Sequence, residues 1–171
     1  MTQSASAGIY RILVTGWRAW PRAAAFVVHR TLQVAAAPVL KAERPVVVTE
    51  GQCPYGGADD YAYEWTRDTP GVVGRRIPAK WKSYGQSAGS IRNQVMVDEG
   101  QDICLAFPGP AARSRGTRDC VERAKKARIS LVVVPWTPEF LDGSESFDPS
   151  FYFKNRQPQL GWEEDLAAYN L

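Results

Sequence analysis

Residues 45–50 read PVVVTE, three consecutive valines framed by a proline and a polar pair. Side chains along a strand point alternately to opposite faces, so a strand with one wet face alternates apolar with polar residues. A run that is apolar position after position fits a strand covered on both faces, as in parallel sheets. Working outward, related runs recur as IYRILVT (9–15), GVVGRRI (71–77, weakened by Gly74), DICLAF (102–107) and ISLVVVP (129–135). The stretches between them have helical spacing. PRAAAFVVHRTLQVAAAPVLK (21–41) is expected to start a helix at Pro21, with Pro38 kinking it or ending it early. ADDYAYEWTRD (58–68) sets Tyr61, Ala62 and Trp65 along one side, residues 90–99 do the same with Ile91, Val95 and Met96, and TRDCVERAKKAR (117–128) with Cys120, Val121 and Ala124. Strands alternating with helices, joined by right-handed crossovers, predict a doubly wound, Rossmann-like α/β domain over residues 9–135, with about five parallel strands and helices on both faces.

Composition frames that domain. The 171 residues allow one core plus a periphery. Residues 1–8 are small and polar and are expected to form a flexible N-terminal segment without the pattern of a secretory signal. No run of 18 apolar residues occurs, so no membrane span is expected. Residues 1–135 carry 19 Lys and Arg against 11 Asp and Glu, whereas residues 136–171 carry 2 against 7. A basic body suits an anionic ligand or nucleic acid. The acidic end is rich in aromatics, with Trp136, Phe140, Phe147, Phe151, Tyr152, Phe153 and Trp162. This extension is expected to pack on the domain or on a partner subunit and to end in a short helix at 162–169. Cys53, Cys104 and Cys120 lack ligand spacing and read as reduced thiols of a cytoplasmic protein. His29, the single histidine, belongs within the first helix, so neither a metal nor a resident cofactor is expected.

In open α/β sheets, ligands bind beyond the carboxyl ends of the strands, and three unusual loops fall there. VTGWRAWP (14–21) has Gly16, which lets backbone approach a ligand, and Arg18, a fork of donors suited to phosphate; a plain turn with a surface arginine is the alternative. EGQCPYGGADD (50–60) offers Gly51, Gly57 and Ala58, followed by Asp59, which either caps a helix or accepts a ribose hydroxyl. FPGPAARSRGTRDC (107–120) holds Pro108 and Gly109 and then Gly116 and Thr117, whose amides at a helix start are suited to an anion. Neither a GxxxxGK[ST] phosphate loop nor a GxGxxG dinucleotide fingerprint is present. In AGSIRNQVMVDEG (88–100), Arg92 stands in the first turn of a helix, the wrong end for its charge. It meets either a bound phosphate, with Asn93 beside it, or an acid such as Asp59.

Four blocks, ILVTGWRAW, VVVTEGQCPYGGADDYAYEW, IPAKWKSYGQSAGSIRNQVMVDEGQDICLAFPG and SRGTRDCVERAKKARI, resemble the YspA-like (DUF2493) family of the SLOG superfamily. That superfamily includes the DprA/Smf and lysine-decarboxylase-like LOG proteins. The resemblance covers residues 9–135 and implies a five-stranded parallel core with a pocket for a nucleotide or a nucleotide-derived ligand. Gly16 and Arg18 match its first loop; Gly51, Gly57, Ala58 and Asp59 its Gly-Ala-Asp block; Gly89, Arg92, Asn93 and Met96 its G-x-x-R-N-x-x-M helix; and Gly116 and Thr117 its phosphate loop. Trp17 and Ala19 stand where Ser and Asp are usual, and Glu50 where His is common. Trp17 is a candidate base shelf.

The resemblance therefore implies a binding module for a nucleotide-derived anion, acting as a sensor, sequestering protein or recognition domain. The alternative is a phosphoribohydrolase that cleaves a base–ribose bond. Related enzymes of that type carry a glutamate at the position of Cys120, so here Asp59 or Asp119, with Arg92, would have to serve. A second alternative, single-stranded DNA binding, draws on the basic body and the aromatics. Self-association, most simply as a dimer, is expected from the many helices and the aromatic tail.

Overall fold

In Tyr10–Gly16 (β1), at the centre of the sheet, Ile12 and Val14 join one buried layer and Leu13 another. Ile103–Phe107 (β4) divides the same way, with Ile103, Leu105 and Phe107 in the first layer and Cys104 in the second. Neither strand has a wet face, which is why neither alternates with polar residues. The other strands are Val46–Glu50 (β2), Val72–Arg76 (β3) and Ser130–Val133 (β5). All five are parallel, in the order β3-β2-β1-β4-β5. The fold is the α/β, Rossmann-like arrangement expected. The computed structural model describes residues 8–110, 113–142 and 147–154.

Helices Ala25–Lys41 (α1) and Ala58–Asp68 (α2) pack on each other over the first layer. Ala88–Asp98 (α4) and Arg115–Lys126 (α5) cover the second, through Met96, Val97, Cys120 and Ala124. Each fully buried aliphatic side chain contributes about 1.5–3 kcal/mol, so the two layers carry most of the folding energy. Arg22–Lys41 is long and apolar enough to cross a membrane by composition, but its apolar side is buried in this core.

Several local expectations need correction. Arg22–Ala24 forms a 3-10 turn, and α1 begins only at Ala25. Pro38 does not end α1, which continues to Lys41. The proline lies on an exposed position near the helix end, where the carbonyl that loses its partner can turn to water. Between the expected elements, Trp81–Tyr84 forms an additional one-turn helix (α3). Helix α5 starts two residues earlier than expected, at Arg115. Gly74 fits the close approach of α2, since a Cβ there would lie 2.5 Å from the Thr66 hydroxyl.

Beyond β5, the chain folds back on the first layer. Trp136 meets Trp20 at 5.5 Å between ring centroids, Phe140 meets Trp136 at 5.9 Å, and Phe147 meets Phe140 at 5.3 Å, all edge to face. A further 3-10 turn at Pro138–Asp142 and a short helix, Ser150–Lys154 (α6), complete the described chain. Phe151 stays 65% exposed. The expected flexibility of the first residues and the helix at 162–169 lie outside the described residues, except that Gly8 is described.

Strand order reverses between β1 and β4, which opens a crevice at their carboxyl ends. Gly16 ends β1 there, and a Cβ in its place would come within 2.4 Å of the Ala58 Cβ. Replacing Gly16 with Ala is therefore expected to destabilise the fold by about 1–3 kcal/mol, read as a lower thermal midpoint. An unchanged midpoint would contradict this close packing of β1 on α2.

Candidate functional site

A cleft of about 670 Å³ occupies that crevice. Its first wall is the turn after β1. The Trp17 amide donates to the Phe107 carbonyl at 2.9 Å, and the Trp17 carbonyl accepts from the amides of Trp20 and Ala58. Gly57, at φ +83°, passes so close that a Cβ would lie 2.5 Å from the Trp17 carbonyl oxygen. Only a glycine fits both that angle and that gap. The indole of Trp17 rests on Gly109, where a Cβ would stand 2.2 to 2.5 Å from three adjoining ring atoms. Arg18 is exposed, its guanidinium 5.2 Å from the Tyr55 ring centre.

The second wall joins β2 to α2. The Glu50 carboxylate is buried and accepts from the Gln52 amide at 2.5 Å and from Arg76 Nε at 2.6 Å. Burial pushes its pKa up, against the pull of those two donors. Arg76 also reaches Asp60 and lies 4.3 Å from the Tyr63 ring centre. Asp59 lines the cleft at 7% exposure, and its pKa is pushed up to about 7. Burial is the main cause, and the neighbouring Glu50 charge adds to it, while Arg92 opposes both.

Helix α4 supplies the third wall and settles the oddity of Arg92. Its guanidinium lies against Gly51, where a Cβ would have no room. Nη1 donates to the Gly51 carbonyl, and Nε donates to Asn93 Oδ1 at 2.9 Å. Asn93 is buried and gives both amide hydrogens to α5, to the Gly116 carbonyl at 3.1 Å and to Asp119 Oδ2 at 2.8 Å. A single carboxamide thus ties Arg92 to the start of α5. Arg92 still lines the cleft with donors that have no partner among the described residues, since a guanidinium has five.

The fourth wall is the N-terminus of α5. Ser114 is the N-cap, yet its side chain makes no capping bond. Ser114, 2% exposed, lines the cleft, and its buried hydroxyl has no hydrogen-bond partner among the described residues. The first turn contains no acidic residue. Arg113, Arg115, Gly116 and Thr117 all line the cleft here. The first amides of a helix have no partner inside it, and with the positive helix end and a nearby hydroxyl they are groups chemically suited to an anion.

Other residues singled out in the sequence serve as scaffold. Ala58 packs against Gly16, and Gly89 lies beside the Trp81 ring, where a Cβ would make only ordinary contact. The Pro108 carbonyl accepts from the Trp136 amide at 2.8 Å. Asp119 does not line the cleft: it is bound by Asn93 and by Arg123, and these bonds outweigh burial to hold its pKa below the usual value. Cys120 is a packed thiol beside Thr15, pushed up to about 12 by burial. His29 is half-buried against the Tyr61 carbonyl at 3.0 Å. Among the described residues, no group of three or more His, Cys, Asp or Glu side chains is placed to hold a metal ion. The sequence reading missed Ser114, Arg115, Trp81 and Tyr55. Serine ahead of a basic helix is a favoured N-cap, the signal by which Ser114 was open to being found.

No family model matches the chain, and no solved structure does. Over 127 residues it is 36% identical to the Gene 61 protein of Mycobacterium phage D29, an alignment covering 94% of that protein and 71% of this chain. With a third of the positions shared along nearly the whole relative, the chain belongs to the family of the phage D29 Gene 61 protein.

Proposed function

We propose that the protein binds a nucleotide or nucleotide-derived anion in the cleft between β1, β2, α4 and α5. The observation that carries this reading is the start of α5, where a buried Ser114 hydroxyl, without a partner among the described residues, stands among uncapped amides and arginines. A phosphate there would receive the Ser114 hydroxyl, the amides of Gly116 and Thr117 and the fork of Arg115. Asp59, in the same cleft, offers a carboxyl to ribose hydroxyls, and Trp17 offers a flat apolar face to a base. The likeness of four sequence blocks to SLOG proteins supports the same ligand class.

A second reading, hydrolysis of a base–ribose bond, is favoured by one observation: a carboxyl in the cleft whose pKa is about 7. At neutral pH such a group exists in both forms. The protonated form would give its proton to the departing base nitrogen as the C1′–N bond breaks. Water would supply hydroxide to C1′, and its remaining proton would restore Asp59. Asp119 has no such position.

Thermal-shift and calorimetric titration with nucleoside monophosphates and ADP-ribose-like molecules test binding. Ligand at a hundred times its Kd is expected to stabilise the fold by about 2.7 kcal/mol. Substituting Ser114 with Ala removes a hydroxyl that has no partner among the described residues, so the unliganded midpoint should not fall. Affinity should nevertheless drop about tenfold or more, the scale of a hydrogen bond to a charged group. No stabilisation by any of these ligands would overturn the reading. Base release followed by chromatography, abolished in Asp59→Asn with binding retained, would support hydrolysis; no release by the parent would exclude it.

Asp59 also makes stability depend on pH. The folded state keeps its proton up to about 7, whereas the unfolded chain releases it near 3.8. Asp59 therefore costs nothing below the lower value, its cost grows as pH rises from the lower value toward the higher, and it stays constant above that. Asp59→Asn should gain stability relative to the parent between about pH 4 and 7, and the gain should level off above. Urea denaturation across that range measures it, and parallel curves would contradict the buried, proton-holding carboxyl.

A further inference from the structure

Trp17 is the only large aromatic side chain of the β1 turn that lines the cleft, because Trp20 points into the core. One side of the Trp17 indole is pressed against Gly109, and its ring centre lies 6.2 Å from that of Trp136, tilted by 54°. Trp136 does not line the cleft. It is held by its own amide, which donates to the Pro108 carbonyl at 2.8 Å, and by edge-to-face contacts with Trp20 and Phe140. From Phe140 the ladder continues through Phe147 to Tyr152. A continuous run of aromatic contacts therefore leads from α6 to the cleft wall.

We propose that Trp136 is a positioning residue of the nucleotide site, fixing the Trp17 indole as the face on which the base stacks. This rests on the nucleotide reading above and adds that the segment after β5 belongs to the site. Several features make the role specific. An indole on a glycine-bordered turn is free to rotate unless something buttresses it. Gly109 supplies a flat seat but no side chain to stop rotation about the side-chain bonds. Trp136 supplies that stop, and its own place is fixed by a backbone bond to the loop that carries Gly109. Stacking on a preset plane avoids the entropic cost of ordering a side chain on binding. The phosphate receptor at α5 is built from other elements, so Trp136 should affect the base and leave the phosphate alone.

The test is calorimetric titration of the full chain with the four nucleoside 5′-monophosphates and, separately, with inorganic phosphate. The proteins compared are the parent, Trp136→Ala, Trp136→Phe, Trp17→Ala and the Trp17→Ala/Trp136→Ala pair. Trp136→Ala is expected to weaken the preferred nucleotide about 5- to 20-fold, the scale of one base–aromatic stack. Phosphate affinity should stay within about twofold, and Trp136→Phe should recover most of the loss. In the Trp17→Ala background, removing Trp136 should cost nothing more, because the residue acts through Trp17. Should Trp136→Ala lose its cooperative thermal transition, Trp136→Leu, which fills the space without a plane, takes its place. Equal losses for nucleotide and phosphate, or additive losses in the double variant, would overturn the proposal. So would parent protein that binds phosphate but gains nothing from the base; that result would leave the anion receptor standing. Parent protein that binds neither probe would bring down the nucleotide reading itself.

Discussion

A single buried carboxamide holds the cleft together. Asn93 receives Arg92 Nε on its oxygen and spends both amide hydrogens on α5. Its neighbours allow one orientation only, since Nε can only donate and the Gly116 carbonyl can only accept. Once Asn93 is set, Arg92 is aimed across α4 onto Gly51, and the start of α5 is held at the same rim. A buried amide with one partner missing costs about 1–3 kcal/mol, so the three elements keep or lose this geometry together. The arginine in the first turn of α4 is thereby explained. Its charge is anchored by the end of β2 and does not need the favourable end of its own helix.

Charge is distributed unevenly around that anchor. Glu50 and Asp59 come close at the end of β2 and the start of α2, and Arg76 engages the first from outside the cleft. The salt bridge keeps Glu50 supplied with a cation, while Asp59 faces the cleft with weaker compensation and holds its proton longer. The α5 side of the cleft has no carboxylate in its first helical turn and several arginines nearby. An anionic ligand with hydroxyl groups suits this gradient better than a neutral or cationic one.

The strands were legible because both faces of the sheet are covered, and burial on two sides writes itself as unbroken apolar runs such as VVV in β2 and ICLAF in β4. The glycines of the loops were legible for a steric reason: positions 16, 51, 57 and 109 meet neighbours that leave no room for a Cβ. What escaped was set by tertiary position. Pro38 reads as a helix breaker but does little harm near a solvent-facing helix end. Asn93 reads as a ligand contact beside Arg92, yet α5, brought alongside by the fold, claims its amide. Asp119 looks equivalent to Asp59 in sequence, and only the packing of Arg123 and Asn93 separates the two. The proton held by Asp59 depends first on its burial and then on Glu50, nine residues earlier, folded back beside it.

The amide resonances of Gly116 and Thr117 give the most direct view of the central claim, that the open start of α5 is an anion receptor. In a ¹⁵N-resolved NMR titration with a nucleoside monophosphate, both amide protons should move downfield together and saturate, as expected for donors taken up by phosphate oxygens. If they stay still while resonances elsewhere respond, or if nothing moves at millimolar ligand, the receptor is not where this account locates it.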